Sequence, residues 1–289
     1  MWYLGDFVYS IYANWKLDRW ERSVQRDANG VLVGCEAFSA GDGDTALLLV
    51  PGINDTPFTY RKMAGVLMHH FHVRAMRLPG FGQPVPIYGS CNAEDWVAAL
   101  TAEVVALGNT HDRVFIVAHS LGAAVALRSL LAADQASRDF VNGLILLAPA
   151  IEVSNRRSPL LPVRWWHRLS AALVFTKFTV SPFPPDMQDP AYKDFPNRTP
   201  FTPRSVIDGT FRLIDANRGR ERDTDIPVLL VLSERDEVID QAAARAWFDE
   251  LRSAPREVYW NNRSGHQLHY DLGWEDVAGK ITAFAKTSM

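Results

Sequence analysis

Cysteine is scarce in this sequence: Cys35 and Cys91 are the only two among 289 residues. That is too few for a disulfide scaffold, and neither sits in a C-x-x-C pair of the kind that frames zinc. Net charge is small as well, with 30 basic against 33 acidic side chains giving −3. A general nucleic-acid binder carries a basic excess, so nucleic acid is not an expected partner. Long apolar runs are missing. The longest, at 46–53 and 143–151, span about eight or nine residues, well short of the ~20 that a membrane-spanning helix needs. The first residues do not read as a standard signal peptide, because Asp6 breaks the apolar stretch and no basic segment precedes it. A cytoplasmic protein is the expectation. Repeats and low-complexity tracts are also lacking.

What is present is an ordinary globular composition, 47% apolar and 22% charged, rich enough to bury a core. From about residue 30, short apolar runs alternate with helical periodicity. Strands are expected at 31–38, 46–50, 73–78, 114–117, 144–147, 228–232 and 256–260. Helices are expected at 58–71, 93–107, 120–133, 242–251 and 275–285. Continuously apolar strands separated by helices predict a mostly parallel sheet covered on both faces, an α/β fold. Residues 152–210 break the rhythm with nine prolines and several aromatics, so they read as an insertion over the strand ends. The core is then 30–151 and 211–289.

Residues 1–29 form an aromatic-rich helical segment, with Leu4, Val8, Ile11, Tyr12 and Trp15 at helical spacing. Two readings are open. The helix packs on its own domain, or residues 1–25 lie at a membrane interface with an aromatic belt, leaving the protein peripheral to that membrane.

The strongest motif is Ala118-His-Ser-Leu-Gly122, which follows a buried-strand pattern and opens a helix of small residues. A serine at so sharp a strand–turn–helix junction is pushed out above the sheet, and the helix N-terminus adds positive potential beside it. Ser120 is therefore the candidate nucleophile. It needs a base and a group to orient that base, in the chain order Ser, acid, His. Asp236 follows the strand at 228–232 and His266 follows the next one. Glu234, Asp240 and His269 are their nearby rivals. A developing oxyanion needs two donors. The N–H of Leu121 is one, and the N–H of Ile53, in the loop Pro51-Gly-Ile-Asn-Asp55, is the other.

With Pro51-Gly52, Leu78-Pro-Gly-Phe-Gly82, Ala118-His-Ser-Leu-Gly122, Asp236 and Ser264-Gly-His266 in place, residues 30–286 resemble the α/β-hydrolase superfamily. Within it the chain is similar to the monoacylglycerol lipase, lysophospholipase and carboxylesterase group. The resemblance implies the α/β-hydrolase fold with a cap inserted after strand six. It also implies a Ser120, Asp236 and His266 triad, and an acyl ester or lipid as substrate. Two departures stand out: Pro51 replaces the usual His and Ala118 the usual Gly.

In the insertion, Trp165, Trp166, Leu169 and Phe175 are candidates to line an acyl channel, against the alternative that they form the insertion's own small core. Arg156, Arg157, Arg164, Arg168 and Lys177 make a basic run there, either an ordinary surface or a face for anionic head groups. Amide cleavage is the runner-up chemistry and requires an acidic cluster to hold a free amine. A non-catalytic relative is a third reading, and it predicts a broken triad. Gly41-Asp-Gly-Asp-Thr-Ala46 precedes a strand instead of opening a helix, so it is a turn and not a dinucleotide site. His69, His70 and His72 read as a solvated helix end. No cofactor and no metal are expected.

Overall fold

The computed structural model describes residues 2–131, 138–158, 160–173, 176–181, 184–192, 197–218, 226–252 and 255–288. Helix α1 (Trp2–Glu21) leads through turns into the short strand β1 (Phe38–Ala40). Then follow β2 (Thr45–Val50), α2 (Arg61–Leu67), β3 (His72–Ala75), α3 (Val85–Ser90), α4 (Ala93–Gly108), β4 (Arg113–His119), α5 (Leu121–Leu131) and β5 (Val141–Leu147). The insertion holds α6 (Val163–Leu173), β6 (Phe178–Val180), β7 (Phe201–Pro203) and α7 (Arg204–Asn217). The chain returns to the sheet with β8 (Val228–Ser233), α8 (Gln241–Asp249), β9 (Arg256–Asn261) and α9 (Trp274–Thr287).

The sheet order is β1-β3-β2-β4-β5-β8-β9, parallel throughout except for the antiparallel edge strand β1. Each central strand is buried on both faces, so alternate residues feed two cores. Leu48, Val50, Ile116, Leu146 and Leu230 meet residues of α4, α5, α7 and α8 on one side. Leu47, Leu49, Val117, Ile145 and Val231 meet Met63, Leu67, Ile281 and Phe284 of α2 and α9 on the other. The α/β class and the helices on both faces are as expected from the apolar runs.

Two expectations need correction. Residues 31–37 are not strand. Gly34 turns the chain at a φ of 84°, and Val31, Leu32 and Cys35 bury in a small cluster with Trp20, Val24 and Phe58 instead of joining the sheet. The insertion follows the fifth strand of the described sheet, not a sixth, because only the single short strand β1 precedes the parallel run. Helix α7 runs unbroken across residue 210 and buries Phe211, Leu213 and Ile214 in the core it shares with α4 and α5. Helix α1 packs on the insertion: Tyr9, Ala13, Leu17 and Trp20 cluster with Phe178, Val180 and Phe201.

Helix α4 has a reciprocal N-terminal cap. The Asp95 N–H donates to Asn92 Oδ1 at 3.1 Å, and the Asn92 N–H donates to Asp95 Oδ2 at 2.9 Å. Asn92→Ala is expected to cost about 1 kcal/mol of stability. A denaturant midpoint unchanged from wild type would contradict that reading.

Candidate active site

Strand β4 ends at His119 and α5 begins at Leu121, so Ser120 alone makes the turn between them. Its φ is 53°, a left-handed backbone conformation that few non-glycine residues adopt. Two backbone bonds hold it there. The Ser120 N–H donates to the Leu147 carbonyl at 3.0 Å, and the Ala150 N–H donates to the Ser120 carbonyl at 3.1 Å. The approach is close enough to require glycine on both sides. A Cβ at Gly122 would lie 2.6 Å from the Pro51 carbonyl oxygen, and one at Gly52 would lie 2.7 Å from His119 Nδ1. Ala118, where glycine is usual, is fully buried with its methyl in the core.

Asp236 sits just beyond β8 and His266 just beyond β9, and the parallel sheet sets both strand ends next to Ser120. His266 Nδ1 is 2.7 Å from Asp236 Oδ2, and Nε2 is 2.9 Å from Ser120 Oγ. A carboxylate only accepts, so Nδ1 carries the proton and Nε2 is free to accept from the serine hydroxyl. Asp236 Oδ1 takes the N–H groups of Val238 at 2.7 Å and Ile239 at 3.1 Å. Burial pushes the Asp236 carboxyl up, but the facing imidazole and these two amides outweigh it and hold the group below its ordinary value. The rivals are occupied elsewhere. Glu234 is exposed, Asp240 caps α8 through the Ala243 N–H, and His269 is buried, stacked on Tyr60 with ring centroids 4.3 Å apart.

Ile53 lines a cavity of about 340 Å³ over Ser120, together with Val153, Val163, Trp166 and His266. The Leu121 N–H is at the first position of α5, where a helix offers it no acceptor, while the Leu121 side chain is in the core. Of the channel candidates, Trp166 lines the cavity. Trp165 and Leu169 do not and stand exposed, while Val163 and Trp166, three residues apart on α6, both reach the cavity. Phe175 lies outside the described residues.

Several residues at this site carry no motif. Asn54, at φ 61°, donates from its side-chain amide to Thr202 Oγ1 at 2.6 Å and accepts from the Tyr88 hydroxyl at 3.0 Å. Asp55 faces Arg198 at 3.3 Å and His119 at 3.6 Å. The Nε2–H of His119 donates to the His266 carbonyl at 3.0 Å. Asn54 and Asp55 thus tie the loop after β2 to the insertion, and His119 ties it to the His266 loop. The Asp186 carbonyl accepts the His266 N–H at 3.0 Å, and a Cβ at Gly265 would lie 2.6 Å from that same oxygen. Asp55 stands within the loop that the sequence singles out, and a charged residue so close after a continuously apolar strand was the available signal. Arg198 offered none, being 143 positions away.

Donor atoms of Asp55, His119 and His269 lie within 4.8 Å of one another, a set of the kinds that ligate metals. Arg198 argues against that role, since its guanidinium already supplies the positive charge facing Asp55. Burial acts to raise the Asp55 carboxyl, yet the Arg198 guanidinium beside it holds it well below the ordinary carboxylate range. Burial pushes both imidazoles below their ordinary value, His269 strongly so.

The sequence model of one hydrolase family, described as "Serine aminopeptidase, S33", matches residues 41–273. The chain belongs to that family. The S33 match spans β2 to the start of the last helix and includes Ser120, Asp236 and His266. No protein among curated sequences matches the chain significantly. Solved structures show the same fold. One is from work on the metagenome-derived lipolytic enzymes LipS and LipT, with 20% identity and a TM-score of 0.75 over 89% of this chain and 99% of that one. A monoacylglycerol lipase from Paleococcus ferrophilus has 19% identity and a TM-score of 0.73 over 88% and 98%. A soluble variant of monoglyceride lipase from Saccharomyces cerevisiae has 14% identity and a TM-score of 0.76 over 88% and 91%. These likenesses establish the α/β-hydrolase fold of this S33 chain.

The buried network bears on stability in two ways. Arg198→Ala leaves Asp55 charged and unpaired in the interior and is expected to cost about 3 kcal/mol, with partial recovery in Arg198→Lys. Denaturant midpoints equal to wild type in both variants would contradict the pairing. The second concerns acid. Folding keeps His119 and His269 neutral where the unfolded chain protonates them, below about pH 6.5. The unfolded state then binds more protons, so stability is fully present above that pH and falls as pH drops through it. Asp55 and Asp236, both held low, extend the loss below about pH 4. The Tm is expected to be flat above about pH 7 and to descend below it; a Tm that rises on acidification would overturn this account.

Proposed function

We propose that this protein is a serine hydrolase of carboxylic esters, acting through an acyl-enzyme. The observation that carries the reading is the unbroken hydrogen-bond path Ser120 Oγ, His266 Nε2, His266 Nδ1, Asp236 Oδ2, at 2.9 and 2.7 Å, beneath a cavity. Ser120 Oγ attacks the ester carbonyl while His266 Nε2 takes its proton. Asp236 holds the tautomer and stabilises the imidazolium. The N–H groups of Ile53 and Leu121 receive the oxyanion. His266 then protonates the departing alcohol, and water repeats the sequence to free the acid. No cofactor enters this scheme.

Apolar lining by Ile53, Val153, Val163, Trp166 and Val238 favours an acyl chain of medium or long length, as in a monoacylglycerol or lysophospholipid. The insertion acts as a cap over the serine in this reading. Amide cleavage at a free N-terminus is less favoured, although the family's description names aminopeptidases. It needs a carboxylate left free for the amine. Asp55, Asp186 and Glu237 all line the cavity, but Arg198 lies 3.3 Å from Asp55, and Arg157 lies 3.1 Å from Asp186 and 3.2 Å from Glu237.

Hydrolysis of p-nitrophenyl esters from acetate to palmitate tests the proposal. Wild type is expected to turn over with an optimum at medium or long chains, and Ser120→Ala to be inactive. Asp236→Asn is expected to lower kcat by about three to four orders of magnitude. Activity that persists in Ser120→Ala would remove the assignment.

A further inference from the structure

Helix α1 is apolar on two opposite faces, and the fold covers only one of them. On the inner face Ala13 is fully buried, and Tyr9, Leu17 and Trp20 pack on Phe178 and Phe201. Polar bonds fix the orientation: the Thr176 hydroxyl donates to Asp6 Oδ1 at 2.7 Å, and the Val180 N–H donates to the Tyr9 hydroxyl at 3.0 Å. The outer face is therefore presented to the surroundings by construction. It carries Phe7, Val8, Ile11, Tyr12 and Trp15, each 45–63% exposed. Their spacing makes two adjacent rows, 7-11-15 and 8-12, along one side of the helix.

Each row ends in a cation. The Lys16 ammonium lies 5.2 Å from the centroid of the Tyr12 ring, and the Arg19 guanidinium 5.8 Å from that of Trp15. The rows read Phe7-Ile11-Trp15-Arg19 and Val8-Tyr12-Lys16, apolar side chains closed by a basic group, a combination that suits a lipid surface with anionic head groups. Past Trp15 the exposed side carries Arg19 and Arg22 against the single acid Asp18, with Lys16 half-buried. The neighbouring insertion repeats the pattern, with Leu160, Trp165 and Leu169 exposed and the Arg168 guanidinium 5.9 Å from the centroid of the Trp165 ring.

We infer that the outer face of α1 docks on a lipid bilayer surface carrying anionic head groups. Helix α1 lies outside the residues 41–273 that match the hydrolase family. Crossing the bilayer is not its role, since no described helix is long and apolar enough. A second copy is a poorer occupant. Five side chains of about 200 Å² each, half exposed, offer roughly 500 Å², short of the ~800 Å² per partner of a standard interface. The basic run of the insertion contributes less than its sequence suggests. Arg164 is spent on Glu152 and Asp215, and Arg157 on Asp186 and Glu237. Trp166 lines the Ser120 cavity and is also 41% exposed.

The test is co-sedimentation of the full chain with vesicles of equal phosphatidylglycerol and phosphatidylcholine, and with phosphatidylcholine alone. Wild type is expected to pellet with the anionic vesicles, less so in high salt. The triple variant Phe7→Ser, Ile11→Ser, Trp15→Ser is expected to bind about tenfold less or weaker still, with an unchanged Tm showing that it folds. Lys16→Glu with Arg19→Glu is expected to remove the preference for anionic lipid. Wild type left in the supernatant with both vesicles, or a triple variant that pellets like wild type, overturns the inference. So does a dimer in sedimentation equilibrium that the triple variant dissociates. Binding is read without turnover, so the result does not depend on whether the ester reading holds.

Discussion

A serine held at φ 53° between a buried strand and a helix is the constraint on which the rest of the site depends. A non-glycine residue keeps such a conformation only when its surroundings over-determine it. Here they do so through the Leu147 and Ala150 bonds and through packing that leaves no room for a side chain at Gly52 or Gly122. The same crowding brings the loop after β2 against the elbow, and Ile53 of that loop lines the cavity. The parallel order β4-β5-β8-β9 then determines which loops can reach the serine from one side. Asp236 and His266 stand at the ends of the last two strands in that order.

A second layer of buried polar groups lies beneath the elbow. Arg198, Asp55, His119 and the His266 carbonyl form a line from the insertion to the His266 loop. Thr202 and Asn54 form a shorter link from the insertion to the loop after β2. A buried charge without a partner is costly, so Asp55 binds the seating of the insertion to the order of the core. The segment over the serine is thus part of the site's own support and not a loose cover. Two of its residues, Asp186 and Arg157, also pin the loops that carry His266 and Asp236.

Much of this was legible in the sequence because it is local. Ser120, Leu121 and Ile53 each sit where a continuously apolar strand stops and a small-residue turn begins, and that pattern needs no knowledge of distant contacts. Asp236 and His266 follow strand ends in the same way. What was not legible depended on distance or phase. Arg198 meets Asp55 only after the insertion folds back. That Trp166 reaches the cavity and its neighbour Trp165 does not depends on how α6 is seated, which the apolar residues alone do not reveal. The stretch 31–37 is apolar enough for a strand, yet one positive-φ glycine sends it elsewhere. The second face of α1 was visible as composition, but whether the fold covered it was a matter of packing.

The central claim is that Ser120 is a nucleophile primed by His266. Intact-mass spectrometry after exposure to a fluorophosphonate measures this most directly, since the reagent traps an activated serine whatever the natural substrate is. The account predicts one adduct per chain, mapped to Ser120 by peptide digestion and greatly slowed in His266→Gln. No adduct, an adduct on another residue, or labelling at an unchanged rate in His266→Gln would contradict it.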